Sequence, residues 1–219
     1  MLRDMSHLMC WISLHGRQHG GDPNNIYFFG HSAGAQIVAL FLFATAKLLQ
    51  QVDTPNPSYL PLLYHAELVD HVLHQKWKLN QIQGFIGVSG VYHIMDHYHF
   101  EAGRGLEEVS AMKPTMGGFP HFRLCSPYSH AIEYSDHGLM HLSILLVHGD
   151  HDKTVPLSSS QKFISALRKF QVVKNARLEV IQDCGHTDMC LPAIGQHHKF
   201  LHLVNIVKSF VRQCSQTIK

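Results

Sequence analysis

Apolar and polar positions along this chain follow two periods in turn. From Met1 to Gly20 the apolar residues Leu2, Met5, Leu8, Met9, Ile12 and Leu14 recur near every 3.6 positions and then meet Gly20-Gly21-Asp22-Pro23, which predicts a helix and its stop. The short apolar run Ile26-Tyr27-Phe28-Phe29 reads as a strand. Beyond it, apolar residues between Ile37 and Leu49 predict a helix from Ala33 to about Gln51, broken by Asp53-Thr54-Pro55-Asn56-Pro57. A second helical stretch, Ala66 to Lys76, leads through Trp77 to a buried strand at Ile82-Gln83-Gly84-Phe85-Ile86-Gly87-Val88-Ser89-Gly90. Strand, helix and strand alternate, and that rhythm predicts a parallel sheet built from crossover units.

From Val91 to Leu142 the regular pattern lapses, with glycines at 103, 105, 117 and 118 and prolines at 114, 120 and 127 among two aromatic clusters. Long irregular segments in compact domains are usually lids or binding loops, so a lid-like insertion over the ligand end of the sheet is expected at about 91–142. Ser143 to His148 is then a third strand, Ser158 to Lys169 a helix, Ala176 to Ile181 a fourth strand and Leu201 to Cys214 a closing helix. The expected fold class is α/β, with a mostly parallel sheet of about four strands in one domain over residues 1–219.

Composition narrows the partners. With 219 residues, 45% hydrophobic and 16% charged, the chain can bury one substantial core. A formal net charge of +2 and no block of like charge give no reason to expect nucleic acid or an anionic membrane surface. The longest apolar run is too short to span a bilayer, and the start carries no secretory-signal pattern. The five cysteines, Cys10, Cys125, Cys184, Cys190 and Cys214, include no Cys-x-x-Cys pair, which argues against a disulfide framework and for a reducing compartment such as the cytoplasm.

The first strand runs into its helix through Gly30-His31-Ser32-Ala33-Gly34, a Gly-x-Ser-x-Gly turn. In this strand-turn-helix setting the pattern is a nucleophile elbow: Ser32 sits on a sharp corner, and Gly30 and Gly34 are expected where side chains would collide with neighbouring backbone. The backbone N–H of Ala33, at the helix N-terminus, can face a developing oxyanion. Directly after the third strand comes His148-Gly149-Asp150-His151-Asp152-Lys153-Thr154-Val155-Pro156, and directly after the fourth Asp183-Cys184-Gly185-His186-Thr187-Asp188. Both lie beyond carboxyl ends of strands, where ligands bind in open parallel sheets.

These residues assemble a serine-nucleophile mechanism. Ser32 is a weak nucleophile at its own pKa, so His186 must take its proton, and a carboxylate must hold the imidazole in the useful tautomer. Asp152 and Asp150 compete for that place; Asp152 is preferred because it lies further along the loop, where a side chain can turn back, while Asp150 is expected to hold the loop itself. Twenty histidines invite a metal reading, above all His15 with His19, His97 with His99, and His197-His198, but no His-Glu-x-x-His is present and the cysteines do not match ligand spacings. No metal or cofactor is expected.

The order serine, aspartate, histidine is that of the α/β-hydrolases. Within that superfamily the chain resembles the isoprenylcysteine α-carbonyl methylesterase-like carboxylesterases. The resemblance runs through Gly20-Gly21-Asp22-Pro23-Asn24-Asn25-Ile26-Tyr27, Val88-Ser89-Gly90-Val91-Tyr92, the segment His97 to Leu106, Ser126-Pro127, the His148 to Pro156 loop and Gly185-His186-Thr187-Asp188. It implies a triad of Ser32, Asp152 and His186, an oxyanion donor at Ala33, and a carboxylic methyl ester substrate, a small molecule or lipidated peptide whose prenyl thioether rests in an apolar groove. It implies no cofactor. The family's membrane-spanning segment has no counterpart here; an endoplasmic reticulum membrane location would belong to a longer form.

Full-length α/β-hydrolases carry further strands upstream of the elbow and a His-Gly-Gly type oxyanion loop, whereas here the elbow follows the first strand. The sequence therefore reads as the carboxyl-terminal portion of such an enzyme, a truncated product or isoform. Losing one oxyanion donor typically costs roughly 2.7 to 4 kcal/mol in the barrier. A strand edge left open would invite self-association. The rival functions are another acyl hydrolase, arylformamidase or lipase-like, and a non-catalytic fragment acting as a binding module.

Overall fold

The computed structural model describes residues 1–53, 77–133, 139–190 and 197–216; the helix expected over Ala66 to Lys76 lies outside them. In chain order the described elements begin with α1 (Leu2–His15), whose last turn tightens into a 3-10 segment, Gly16–His19, and stops at Gly20 in the left-handed region. Then come β1 (Ile26–His31), α2 (Ala33–Asp53) and β2 (Ile82–Val88). Between β2 and β3 lie α3 (Ile94–Ala102), the single turns α4 (Met112–Thr115) and α5 (Phe119–Phe122), and α6 (Pro127–Glu133). The chain closes with β3 (Ser143–Gly149), α7 (Leu157–Lys169), β4 (Asn175–Ile181) and α8 (His197–Gln216).

The four strands form one parallel sheet in the order β1-β2-β3-β4. One row across it reads Phe28, Phe85, Ile144, Ala176. Side chains alternate between the two faces, and both faces of the central strands are covered, so β2 and β3 carry apolar runs instead of an alternating pattern. Phe85, Ile144 and Leu146 pack against Val38, Ala39 and Leu42 of α2 and Phe163, Ile164 and Leu167 of α7. Ile86, Val88, Leu145 and Val147 pack against Leu203 and Phe210 of α8. All seven residues of β3 are buried, and each fully buried side chain such as Phe85 contributes about 1.5 to 3 kcal/mol.

β1 is an edge strand, and one of its apolar side chains is open to solvent. The run Ile26 to Phe29 is as apolar as β2, yet Phe29 is 49% exposed. The cause is the placement of α8, which lies over β2 and β3 and meets β1 at Tyr27, whose hydroxyl is 3.5 Å from Ser215 Oγ. Phe29, two residues on, has no such cover among the described residues.

The segment between β2 and β3 differs from the sequence expectation, because its lapse in pattern conceals short helices. Helices of four to nine residues are too short to show a 3.6 period against their glycines and prolines. Side chains tie this segment down. Ser126 Oγ accepts the Ile94 N–H at 2.9 Å and donates to Phe122 O at 2.6 Å, Asp96 pairs with Lys162 of α7 at 2.5 Å, and Arg104 donates to the Lys153 carbonyl at 2.5 Å. Val91, Ile94 and Phe122 form a third apolar cluster with Val155 from the loop after β3, bordered by Met95, Tyr98, Met112 and Met116.

Candidate active site

Parallel strands bring their carboxyl ends to one edge of the sheet, and the loops after β1, β3 and β4 meet there. Ser32 stands between β1 and α2 with φ 54, in the left-handed region, a conformation that costs a non-glycine residue about 1 to 3 kcal/mol. Backbone bonds hold it there: its N–H donates to Val88 O at 2.9 Å, and its carbonyl accepts from Ala35 and Gln36 at 3.1 and 3.2 Å. Gly30 is required by close approach, since a Cβ there would lie 2.6 Å from Gly34 O and 2.7 Å from Ala35 N. Gly34 is not: a Cβ at that position meets nothing within 4 Å, which corrects the expectation that both glycines avoid a collision. Ala33 opens α2, and an N–H in the first turn of a helix has no intrahelical acceptor.

The Ser32 hydroxyl lies 2.9 Å from His186 Nε2, and His186 Nδ1 lies 2.8 Å from Asp152 Oδ2. The carboxylate that reaches the imidazole is therefore that of Asp152. Its other oxygen, Oδ1, accepts the N–H groups of Thr154 and Val155, both at 2.9 Å. The Asp152 side chain is wholly shielded from solvent. Burial alone would raise its carboxyl, but donors from His148, His186 and the Val155 N–H outweigh that and hold it well below the usual carboxylate range. Asp150 makes no contact of this kind. Its Oδ1 accepts the Cys184 N–H at 3.3 Å, and its own N–H donates to Ile181 O at 3.1 Å, so it ties the loop after β3 to the loop after β4.

The histidine loop is pinned on three sides. Gly185 N–H donates to Asp188 Oδ2 at 2.8 Å, Lys199 of α8 reaches Asp188 and the Asp183 carbonyl, and His31 Nε2 donates to the His186 carbonyl at 2.8 Å. Two functional-site residues carry no obvious mark in the sequence. His31 is the first of the two variable positions of the Gly-x-Ser-x-Gly turn. His148 is the penultimate residue of β3, is fully buried, and brings Nε2 to 3.3 Å from Asp152 Oδ2. Its spacing four residues before Asp152 is the one signal that could have found it.

All five cysteines are free thiols, and burial pushes Cys184, two residues before His186, up to about 11. Trp11 stacks on His19 and tilts against His15, with ring centroids 5.3 and 5.6 Å away. His97 of α3 is buried, with Nε2 3.5 Å from Glu101 Oε1. Among the described residues no group of three or more His, Cys, Asp or Glu side chains could hold a metal ion, and no helix is long and apolar enough to cross a membrane.

Comparison with known proteins agrees with this architecture. Residues 83–217 match the sequence model of the prolyl oligopeptidase family, and residues 2–52 match that of the carboxylesterase family. The chain is 32% identical over 179 residues to a probable isoprenylcysteine alpha-carbonyl methylesterase of Oryza sativa subsp. japonica, covering 79% of this chain and 36% of that protein. It is 30% identical over 199 residues to the isoprenylcysteine alpha-carbonyl methylesterase of Arabidopsis thaliana, covering 87% and 40%. The chain thus spans well under half the length of these relatives. In fold it is similar to Thermogutta terrifontis esterase 2 (TM-score 0.60, 18% identity, 97% of this chain and 64% of that one). It is also similar to an acylaminoacyl peptidase of Pyrococcus horikoshii (TM-score 0.59, 14% identity, 93% and 26%). With a matching family model over more than half its length and this sheet, the chain belongs to the prolyl oligopeptidase family of the α/β-hydrolase superfamily.

Proposed function

We propose that the chain is a serine carboxylesterase that hydrolyses a carboxylic methyl ester, with a prenylated cysteine as the acyl part. The observation that carries the chemistry is the unbroken line Ser32 Oγ, His186, Asp152, with links of 2.9 and 2.8 Å and Ser32 held at a left-handed φ. In this reading Ser32 Oγ attacks the ester carbonyl carbon while His186 Nε2 takes the hydroxyl proton. The Asp152 carboxylate stabilises the imidazolium, and the Ala33 N–H donates to the oxyanion. The tetrahedral intermediate collapses as His186 returns the proton to the departing alkoxide, so methanol leaves and an acyl-Ser32 ester remains. Water, deprotonated by the same imidazole, then releases the acid and restores Ser32.

The substrate side of the proposal rests on the similarity to the methylesterases and on the apolar segment between β2 and β3. We read residues 91–142 as a lid. Its Ile94, Met95, Tyr98 and Phe122 cluster on Val155, three residues from Asp152, and would line a groove for an isoprenoid chain. The expected partner is thus a small-molecule or lipidated-peptide ester, and the outer edge of β1, along which no strand lies among the described residues, gives a second partner surface for another copy of the chain.

A fluorophosphonate probe tests the mechanism directly: the proposal expects covalent labelling at Ser32 that is lost in Ser32→Ala and His186→Ala. Failure of the parent to label would leave the chain a non-catalytic fragment. For the substrate, a prenylcysteine methyl ester should exceed a short-chain acetate in kcat/KM, because each buried methylene contributes roughly 0.8 kcal/mol. Equal efficiencies would favour a general esterase.

A further inference from the structure

We infer that His148 is a positioning residue for the Ser32, His186, Asp152 line, which it extends inward with Ser160 by fixing the carboxylate oxygen that faces the His186 imidazole. The inference rests on the esterase reading above. His148 and Ser160 are both fully buried. The His148 Nδ1 lies 2.8 Å from Ser160 Oγ, while its Nε2 lies 2.9 Å from the Val155 carbonyl and 3.3 Å from Asp152 Oδ2. Two acceptor-only oxygens face Nε2, so Nε2 carries a proton, Nδ1 accepts, and the Ser160 hydroxyl donates. Every polar atom of the ring is engaged.

The consequence falls on Asp152. Its Oδ1 holds two backbone N–H groups, while its Oδ2 receives the His186 N–H and stands 3.3 Å from His148 Nε2, whose N–H is shared with the Val155 carbonyl. A carboxylate with both oxygens occupied in this way cannot rotate off the imidazole. It also shares its charge between two histidines, so His148 limits how strongly Asp152 favours the imidazolium of His186. Because His148 belongs to β3 and Ser160 to α7, the loop that carries Asp152 is tied to two rigid elements. Among the described residues, the side chains that face His186 otherwise are Ser32 and His31 beside the elbow and Asp152 itself. His97 of α3 lies within electrostatic reach, and Asp188 with Lys199 flanks the histidine loop.

The test compares His148→Leu, His148→Gln and Ser160→Ala in the full chain. Glutamine can place an N–H where Nε2 stands, whereas leucine cannot. With ¹⁵N-labelled histidine, the His186 signals are assigned by their loss in His186→Gln, and the pH midpoint at which His186 takes up a proton is followed in each variant. His148→Leu should move that midpoint upward by roughly half a unit to one unit, since Asp152 loses one donor while its Oδ1 stays anchored. His148→Gln should restore it, and Ser160→Ala should move it in the same direction by less. The rate of fluorophosphonate labelling should fall as much as roughly 10²-fold in His148→Leu and recover in His148→Gln. A midpoint that stays or falls in His148→Leu, or identical shifts for leucine and glutamine, would overturn the inference. Should leucine not fold, the contrast between Ser160→Ala and His148→Gln decides it: equal midpoints overturn it. A shifted midpoint in a chain whose Ser32 never labels would uphold the role of His148 and remove the esterase reading instead.

Discussion

His31 Nε2 donates to the backbone carbonyl of His186 at 2.8 Å, and the two rings face each other with centroids 4.8 Å apart. The residue before Ser32 therefore holds the histidine that would activate Ser32 in the proposed mechanism, and joins the ends of β1 and β4 across the sheet. Burial is the main reason that His31 is pushed below the ordinary imidazole range, as it is for His97 and His130.

That depression has a defined sign for stability. The unfolded chain takes up protons at these histidines as pH falls through about 6.5, while the folded chain resists until lower pH, so protonation favours the unfolded state. Folding stability is expected to be fullest above about pH 7 and to decline as pH falls below 6.5. Urea denaturation of the parent and of His31→Gln, followed from about pH 7 down through the range below 6.5, measures it: the glutamine variant should show a shallower decline. An equal slope would show that His31 does not contribute.

Asp152 and Asp150 sit two residues apart with unlike surroundings, and they should respond differently to the same change. Asp152→Asn leaves the shape but presents the wrong hydrogen-bonding partner to His186, and in the template triad such a change costs about 10⁴ in turnover. Asp150→Asn alters a 3.3 Å contact to the Cys184 N–H and should cost far less. Ester turnover of the two variants, side by side, gives the answer, and the reverse ranking would exclude Asp152 as the acid. The Asp152 carboxyl is held low in the fold, so its stabilising contribution is present above about pH 4 and is lost as pH falls further.

The two glycines of the elbow make a cleaner pair. Gly30→Ala forces a Cβ to 2.6 Å from the Gly34 carbonyl, which only a backbone shift can relieve, and should destabilise the fold by about 1 to 3 kcal/mol or more. Gly34→Ala meets open space inside a helix, where alanine is favoured over glycine by up to about 1 kcal/mol, and should be neutral or stabilising. Thermal melting of both variants checks this, and equal losses would contradict the geometry.

What was legible in the sequence follows the strength of each physical signal. The strands and long helices could be read because a buried parallel strand is an apolar run and a helix of three or more turns shows its period, as in β3 and α7. The Ser32, Asp152 and His186 positions could be placed because each follows a strand end. Short helices such as α4 and α5 could not, because their signals are shorter than the pattern that would reveal them. His31 and His148 are hidden for another reason: their roles depend on partners 155 residues and 4 to 12 residues away that only the fold assembles.

The exposed face of β1 leads to the remaining expectation. β1 pairs with β2 on one side, and among the described residues no strand lies along its other edge. A parallel edge strand leaves backbone N–H and C=O groups free, and here Phe29 adds a side chain 49% exposed beside them. A second copy of the chain offers the same edge and the same apolar surface, so pairing between copies satisfies both at once. Sedimentation velocity over a range of concentrations should therefore show the 219-residue chain self-associating. Phe29→Lys places a charge on that edge without touching the Ser32 turn, and should shift the population toward monomer and raise solubility. A parent chain that sediments as a single monomer at every concentration would show that the edge is covered in solution.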